Sequence, residues 1–436
     1  MEIIPKPILF LAAYNLIFWK KFYFTPFLNS TGELLSTFFP HWIWMSRQLR
    51  KFKFPLTDRI YYQYPSCIPF LSSFYPLHLL SSLLSSFFSL DKSFIILNSL
   101  ILAHSFLGSI FAYLALIQWF SSSVSLFGAI TYSYSAYMIR PNHPCIAYTM
   151  AWIPGMFIKG WIGTVSFGMA ILSGYWPILL QIIPFSLILQ PSIALGIVIG
   201  LPQIIGFLWY WPKSIRASNP IDTEFGKVPL WRFLDLIIPN LVRNQINGVL
   251  YFESSMFMGW IPIILYLLSN NWLIWPITLA TLLFVTSIIK TPFRVPARFI
   301  YLFTVSMIIG ACSGIKEIPL WLIVIQSACL LRNADLWPTY PFTEWQKKPS
   351  EWFKYKTSIV GTNRISNLKY PYFTGYIDEI RTLGYTGGFS LKALSSFHGI
   401  TDPNGLRVTE CSNDRFISGQ FKGDILEELK CLTLKA

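Results

Sequence analysis

The residues best placed to do chemistry lie between Gly32 and Leu79, a stretch that follows the first hydrophobic run and is aromatic, basic and poor in acid. It holds two carboxylates, Glu33 and Asp58, among His41, Trp42, Trp44, Arg47, Arg50, Lys51, Lys53, Arg59 and the cluster Tyr61-Tyr62-Gln63-Tyr64. A carboxylate just past a hydrophobic run is partly desolvated, which raises its pKa toward the range of a working general base. Glu33 has that position; the plainer alternative is a carboxylate that neutralises Arg47 or Arg50. Asp58 either orients a reacting group or pairs with Arg59 and caps a turn. Tyr61, Tyr62, Tyr64 and Tyr75, with Trp42 and Trp44, offer faces for sugar rings, and they equally fit an aromatic belt at a membrane interface.

Two further groups are cationic. Arg294 and Arg298 stand four apart at the start of an apolar run, so they share a helical face if the helix has begun at Arg294. Guanidinium forks match phosphate oxygens; the alternative is snorkelling toward lipid headgroups. Arg140 and His143 occupy a tight turn, Arg140-Pro141-Asn142-His143-Pro144, where they could touch a phosphate or an acceptor, although a lone histidine is more often structural. No D-x-D stands in the first loop, and the six cysteines have neither metal spacing nor a histidine cluster beside them. We therefore expect no resident cofactor, with a divalent metal left open. Cys312 and Cys329 read as small buried residues, while Cys411 and Cys431 in the polar tail could be bridged outside the cytoplasm.

These groups are carried by a chain with the composition of a membrane protein. It is 53% hydrophobic and 12% charged, with a mean hydropathy of +0.49. A soluble chain of this length needs far more charge on its surface. About +12 of the formal net charge of +14 falls on residues 1–332, which favours anionic lipids or a phosphate-bearing lipid substrate and makes nucleic acid a poor partner.

Apolar runs near 7–24, 94–119, 122–139, 147–158, 160–173, 175–189, 192–211, 257–269, 272–289, 299–313 and 318–331 predict about eleven spans. The first reads as a retained signal anchor, followed by Lys20 and Lys21. Around Lys159-Gly160, one long broken helix and two short spans are both open, and prolines at 154, 177, 184, 202 and 262 predict kinks. Eleven spans place the 25–78 loop, the 212–255 loop, the turns at 140–144 and 290–298 and the tail on one side. The connectors around Trp119-Phe120, Lys159, Gln190, Asn270 and Lys316 then share the other. The fold class expected is an all-α polytopic bundle, residues 1–332, followed by a small soluble α+β unit, residues 333–436.

An ordered set of short motifs resembles a known family. Gly32-Glu33-Leu34, Pro40, Arg50, Phe54-Pro55-Leu56, Pro69-Phe70 and Phe74-Tyr75-Pro76-Leu77 resemble the first large extracytoplasmic loop of the YfhO-like bacterial membrane glycosyltransferases, of the GT-C class. His143 with Ala151-Trp152-Ile153-Pro154, Gly200-Leu201-Pro202-Gln203 through Ser214 and Arg216, and Arg294, Pro296 and Arg298-Phe299 are similar to successive landmarks of that family. Asp335-Leu336, Arg364-Ile365 and Gly384-Tyr385 are similar to its soluble end. Two positions depart from its pattern: Gly32-Glu33 stands for the usual Gly-Asp, and Pro55-Leu56-Thr57-Asp58-Arg59 for Pro-Leu-Trp-Asn-Pro.

The resemblance implies transfer of a sugar from a polyprenyl-phosphate donor to an envelope glycopolymer or lipid at the outer face of the bacterial inner membrane. Glu33 and Asp58 would be catalytic. Arg294, Arg298, His143 and Arg140 would bind the donor phosphate, and Tyr61, Tyr62, Gln63 and Tyr64 the sugar or acceptor. It also puts both large loops and the tail outside, whereas charge bias alone puts that basic face in the cytoplasm. The rival readings are a non-catalytic flippase or transporter that handles an anionic lipid, and an envelope assembly protein.

Overall fold

A computed structural model describes residues 6–23, 27–29, 34, 38–53, 72–139, 143–210, 227–239, 255–269, 271, 274–289, 296–336 and 339–341. Thirteen α-helices are described: α1 Lys6–Phe18, α2 Phe39–Arg50, α3 Pro76–Ser85, α4 Leu90–Leu116, α5 Ser122–Tyr134, α6 Pro144–Trp152, α7 Trp161–Ser173, α8 Trp176–Leu189, α9 Gly196–Tyr210, α10 Trp260–Leu268, α11 Ile274–Val285, α12 Ile300–Ser313 and α13 Leu320–Leu330. Two short strands, β1 Phe27–Asn29 and β2 Thr339–Pro341, pair antiparallel with Leu28 opposite Tyr340. The start of the first long loop is thus hydrogen-bonded to the start of the tail, which two segments on opposite sides of a membrane cannot be. The tail beyond Pro341, with its expected strands and helix, lies outside the described residues.

The chain divides into two compact units, 1–25 with 98–201 and 221–338, and 26–97 with 202–220 and 339–436. Most apolar runs predicted as spans are helices near the predicted positions, yet among the described residues three helical stretches are long and apolar enough to cross a membrane: Lys92–Leu116, Pro191–Trp209 and Pro296–Ser313. The expected count of eleven is not supported. At 1.5 Å per residue, helices of nine to fourteen residues such as α6, α7 and α8 reach about 14–21 Å, short of a hydrocarbon core of about 30 Å. Proline and glycine cut them. α6 gives way to a 3-10 turn at Pro154–Phe157, α7 ends on Gly174 at φ +86°, and a second 3-10 turn, Pro191–Leu195, precedes α9. Pro184 and Pro202 stay inside their helices, and Pro177 occupies the first turn of α8. At the open alternative near Lys159, Gly160 takes φ +82° and α7 packs back on α6, so two separate short segments form.

The connectors expected to share one side do meet. Gln118 Nε2 donates to the Phe157 carbonyl at 3.0 Å and Gln190 Nε2 to that of Gly160 at 3.3 Å. Ser121 Oγ donates to the Lys316 carbonyl at 2.8 Å, and Asn271 Nδ2 to Ser313 Oγ at 3.1 Å.

Close packing in this unit rests on small residues. Gly196 and Gly200 of α9 face α7: a Cβ on Gly200 would lie 2.5 Å from Ile171 Cγ2, and one on Gly196 would fall on the Thr164 carbonyl oxygen and 2.9 Å from Gly168 N. A G-x-x-x-G spacing lets helix backbones approach where no water is available to drive them together. Because the Gly196 obstacles are backbone, they cannot rotate away. Gly196→Ala should therefore cost about 1–3 kcal/mol, read as a lowered thermal unfolding midpoint of the purified protein in detergent.

Candidate functional site

The end of the first unit opposite those connectors collects its polar chemistry. Arg298 sits in a 3-10 turn, Pro296–Phe299, that leads into α12. Its half-buried guanidinium lies 5.4 Å from the centre of the Tyr175 ring, a cation–π arrangement. The turn is held through its own backbone: the Arg298 carbonyl accepts from Tyr137 Oη and from Gln181 Nε2, both at 3.3 Å. Tyr175 is fixed in turn by its N–H donating to Thr149 Oγ1 of α6 at 3.3 Å. His143 opens α6 in extended conformation, and its carbonyl accepts from Ile146 and Ala147 N–H. Nearby, Ala136 N–H donates to the Phe257 carbonyl at 2.8 Å, and Asn333 Nδ2 bridges the carbonyls of Tyr134 and Phe257.

Below this end runs a neutral hydrogen-bonded cluster. Tyr23 Oη donates to Asn15 Oδ1 at 2.7 Å, and Asn15 Nδ2 donates to Ser105 Oγ at 2.8 Å and Tyr134 Oη at 2.9 Å. Ser105 Oγ also accepts from Trp19 Nε1 and donates to the Leu102 carbonyl, which saturates the hydroxyl. A cavity of about 30 Å³ adjoins the cluster, lined among others by Trp19, His104, Ser105, Tyr132 and Ser133. Its size suits one or two waters rather than an organic ligand. Tyr132 Oη closes its far wall, donating to the Met150 carbonyl at 2.6 Å and accepting from Tyr301 Oη at 2.9 Å.

Of the residues expected to act, Glu33, Asp58, Tyr61, Tyr62, Gln63, Tyr64, Arg140 and Arg294 lie outside the described residues. Arg298 and His143 are described; the shared helical face, expected if the helix has begun at Arg294, lies outside the described residues with Arg294 itself. Sequence reasoning missed Tyr175, Tyr137 and Gln181, which fix Arg298, and assigned nothing to His104. Their partners are distant in the chain, so no local spacing signals them. Among the described residues, no group of three or more His, Cys, Asp or Glu comes together to hold a metal.

The second unit corrects the picture of its loop. Residues 39–50 form α2, started by Pro40 and ended with Arg47 and Arg50 in its last turn, where they complement the helix dipole. α2 packs on α3: Ser82 Oγ donates to the Trp42 carbonyl at 2.9 Å and Trp42 Nε1 to that of His78 at 3.4 Å. Arg50, which with Arg47 was the alternative partner for Glu33, donates to the Ser86 carbonyl at 3.3 Å and lies over the Phe87 ring.

The comparisons with known proteins add no identity: the chain matches no family model, no curated protein and no solved structure.

Two predictions arise from these geometries. Burial pushes the His41 imidazole down to about 3, so between that value and the usual 6.5 the unfolded chain holds the extra proton. The stability due to neutral His41 is complete above pH 6.5 and is lost as pH falls, by about 2 kcal/mol at pH 5. Hydrogen exchange of residues 39–50, corrected for intrinsic rates, should show that loss, and His41→Gln should remove it. Arg232 and Asp235, joined at 3.0 Å and both buried, form an ion pair unremarked in the sequence reading. Because the two charges are in contact, Arg232→Leu and Asp235→Leu should not be additive: a thermodynamic cycle of unfolding midpoints should show a coupling of about 0.5–3 kcal/mol between them.

Proposed function

We propose that the protein is a polytopic membrane glycosyltransferase of the YfhO-like, GT-C type that moves a sugar from a polyprenyl-phosphate donor to an envelope glycopolymer or lipid at the extracytoplasmic face. The observation that carries this reading is the placement of Arg298 at one end of an apolar bundle, its main-chain carbonyl held by Tyr137 and Gln181 and its guanidinium lying over the Tyr175 ring. A fixed cation at the end of a membrane bundle is what a lipid phosphate requires. The ordered motifs from Gly32 to Gly384 support the choice of chemistry through their resemblance to that family, with the departures at Gly32-Glu33 and Pro55 to Arg59.

In this reading about eleven helical segments, some tilted or broken, form the membrane part, and the tail is a soluble α+β unit on the same side as the two long loops. Glu33 takes the proton of the acceptor hydroxyl as its oxygen bonds to the anomeric carbon. The bond from that carbon to the donor phosphate breaks, and polyprenyl phosphate leaves as an anion without needing an acid. Asp58 orients the reacting groups. Arg298, with Arg294, Arg140 and His143, stabilises the leaving phosphate, while Tyr61, Tyr62, Gln63 and Tyr64 contact the sugar or acceptor.

Purified protein given a radiolabelled polyprenyl-phosphate sugar and envelope acceptors should transfer label. Arg298→Ala should weaken donor binding by about 1.5–3 kcal/mol, the worth of a charge-assisted contact. Glu33→Gln should lower turnover roughly a hundredfold with donor affinity nearly unchanged. Donor binding at native strength in the Arg298 variant, together with no transfer by the native protein, would leave lipid handling as the better description.

A further inference from the structure

We infer that residues 230–238, in the second long loop, are embedded in the acyl–headgroup boundary of the bilayer, with Lys227 outside it at the water-facing edge. The segment runs from Lys227 to Pro239, with a 3-10 turn over Leu230–Leu236 preceded by Pro229. In a 3-10 turn side chains three apart stack in rows. Arg232 and Asp235 form one row, Trp231, Leu234 and Ile237 the next.

The polarity of these rows is the reverse of a water-facing surface. Arg232 is 0% and Asp235 1% exposed, with their charges paired inward at 3.0 Å. The apolar side chains face out: Leu230 is 62% exposed, Trp231 47%, Leu234 49%, Ile237 56% and Ile238 49%. In water this arrangement hides the groups that hydrate well and displays those that do not. In lipid the same arrangement is the favourable one, because charges are tolerated only when paired and turned toward protein.

The outward face is continuous with one that belongs to the membrane part. Trp260, at the head of α10, donates its Nε1 to the Ile237 carbonyl at 2.7 Å. Below it, Ile264, Leu267 and Leu268 of α10 are also exposed. Phe233 packs edge-on against Phe303 of α12, with ring centres 5.6 Å apart, and that helix lies in a stretch able to cross a membrane. Val228 N–H donates to the Val285 carbonyl at 3.1 Å, tying the segment to the end of α11. Two half-exposed indoles, Trp231 and Trp260, set the depth at the interface, where a ring that is apolar with one polar edge is most at home.

A second element repeats the pattern independently. In α3 the buried side chains are His78, Ser81, Ser82 and Ser85, whereas Leu77, Leu80 and Leu84 are exposed. The serine hydroxyls bond to carbonyls of His78, Trp42 and Ser82, an internal satisfaction that a lipid-facing helix needs.

The test uses the full-length protein in nanodiscs of phosphatidylethanolamine and phosphatidylglycerol. Leu234→Cys and Lys227→Cys are exposed to a charged methanethiosulfonate, with the modified peptide identified by mass spectrometry so that native cysteines do not intrude. Because the thiolate reacts and lipid disfavours it, position 234 should label roughly tenfold or more slowly than position 227. In parallel, p-benzoylphenylalanine at position 234 is photolysed, and adducts to lipid acyl chains are expected. Equal labelling rates would show a water-facing turn and overturn the inference. Slow labelling with crosslinks only to protein peptides would mean that another surface or a second copy covers the segment, and would overturn it as well.

Discussion

The constraint on which the rest of this structure depends is that polar groups placed among apolar side chains must be satisfied from within the chain. Serine and threonine hydroxyls do this locally, each donating to a carbonyl one turn back: Ser105 to Leu102, Thr131 to Phe127, Ser306 to Phe303, Ser327 to Ile323. Longer side chains join helices that are remote in sequence. Asn15 links α1 to α4 and α5, Tyr14 Oη reaches the Ser327 carbonyl of α13 at 2.7 Å, and Gln326 Nε2 reaches the Met258 carbonyl at 2.6 Å. Where hydrocarbon surrounds the helices, burial of apolar area gives little drive for association, so these bonds and close glycine contacts take over.

Short, broken helices follow from the same constraint. Each break frees backbone groups that need partners, and the breaks cluster at the two ends, where Gln118, Gln190 and Ser121 on one side and Tyr137, Gln181 and Asn333 on the other supply them. At the second end this supply does more than close off loose carbonyls. Tyr137 and Gln181 both bond to the carbonyl of Arg298, so the residue that presents a cation is held by its main chain and its side chain remains available to stack on Tyr175.

The polar stretches that separate the apolar runs are not simple loops. α2 and α3 were hidden because the sequence reading took charge and aromatic density between 25 and 78 as the mark of a folded loop that carries the chemistry. The helical signal was present in the serines at 81, 82 and 85 and the leucines at 77, 80 and 84, but with inverted sense, polar in and apolar out. A reading that assigns apolar faces to the core cannot see it. The segment 227–239 escaped for the same reason, since Arg232 and Asp235 counted as loop charges until their burial was seen.

The sequence by itself determined that this is a membrane-type, mostly helical chain and roughly where the helices of its apolar runs lie, though not α2 or α3. Those properties are local: run length, proline and glycine positions and composition set them without reference to distant residues. It also read Cys312 and Cys329 as small buried residues; the structure buries Cys312 against Gly128 but leaves Cys329 partly exposed. The tertiary structure decided which ends meet, which charges are paired and which polar side chains hold Arg298, because each depends on contacts over tens to hundreds of residues. Tyr175, Gln181, Tyr137 and Arg298 have no common spacing, and only the folding of α5, α6, α8 and the turn before α12 to one end of the bundle makes them neighbours.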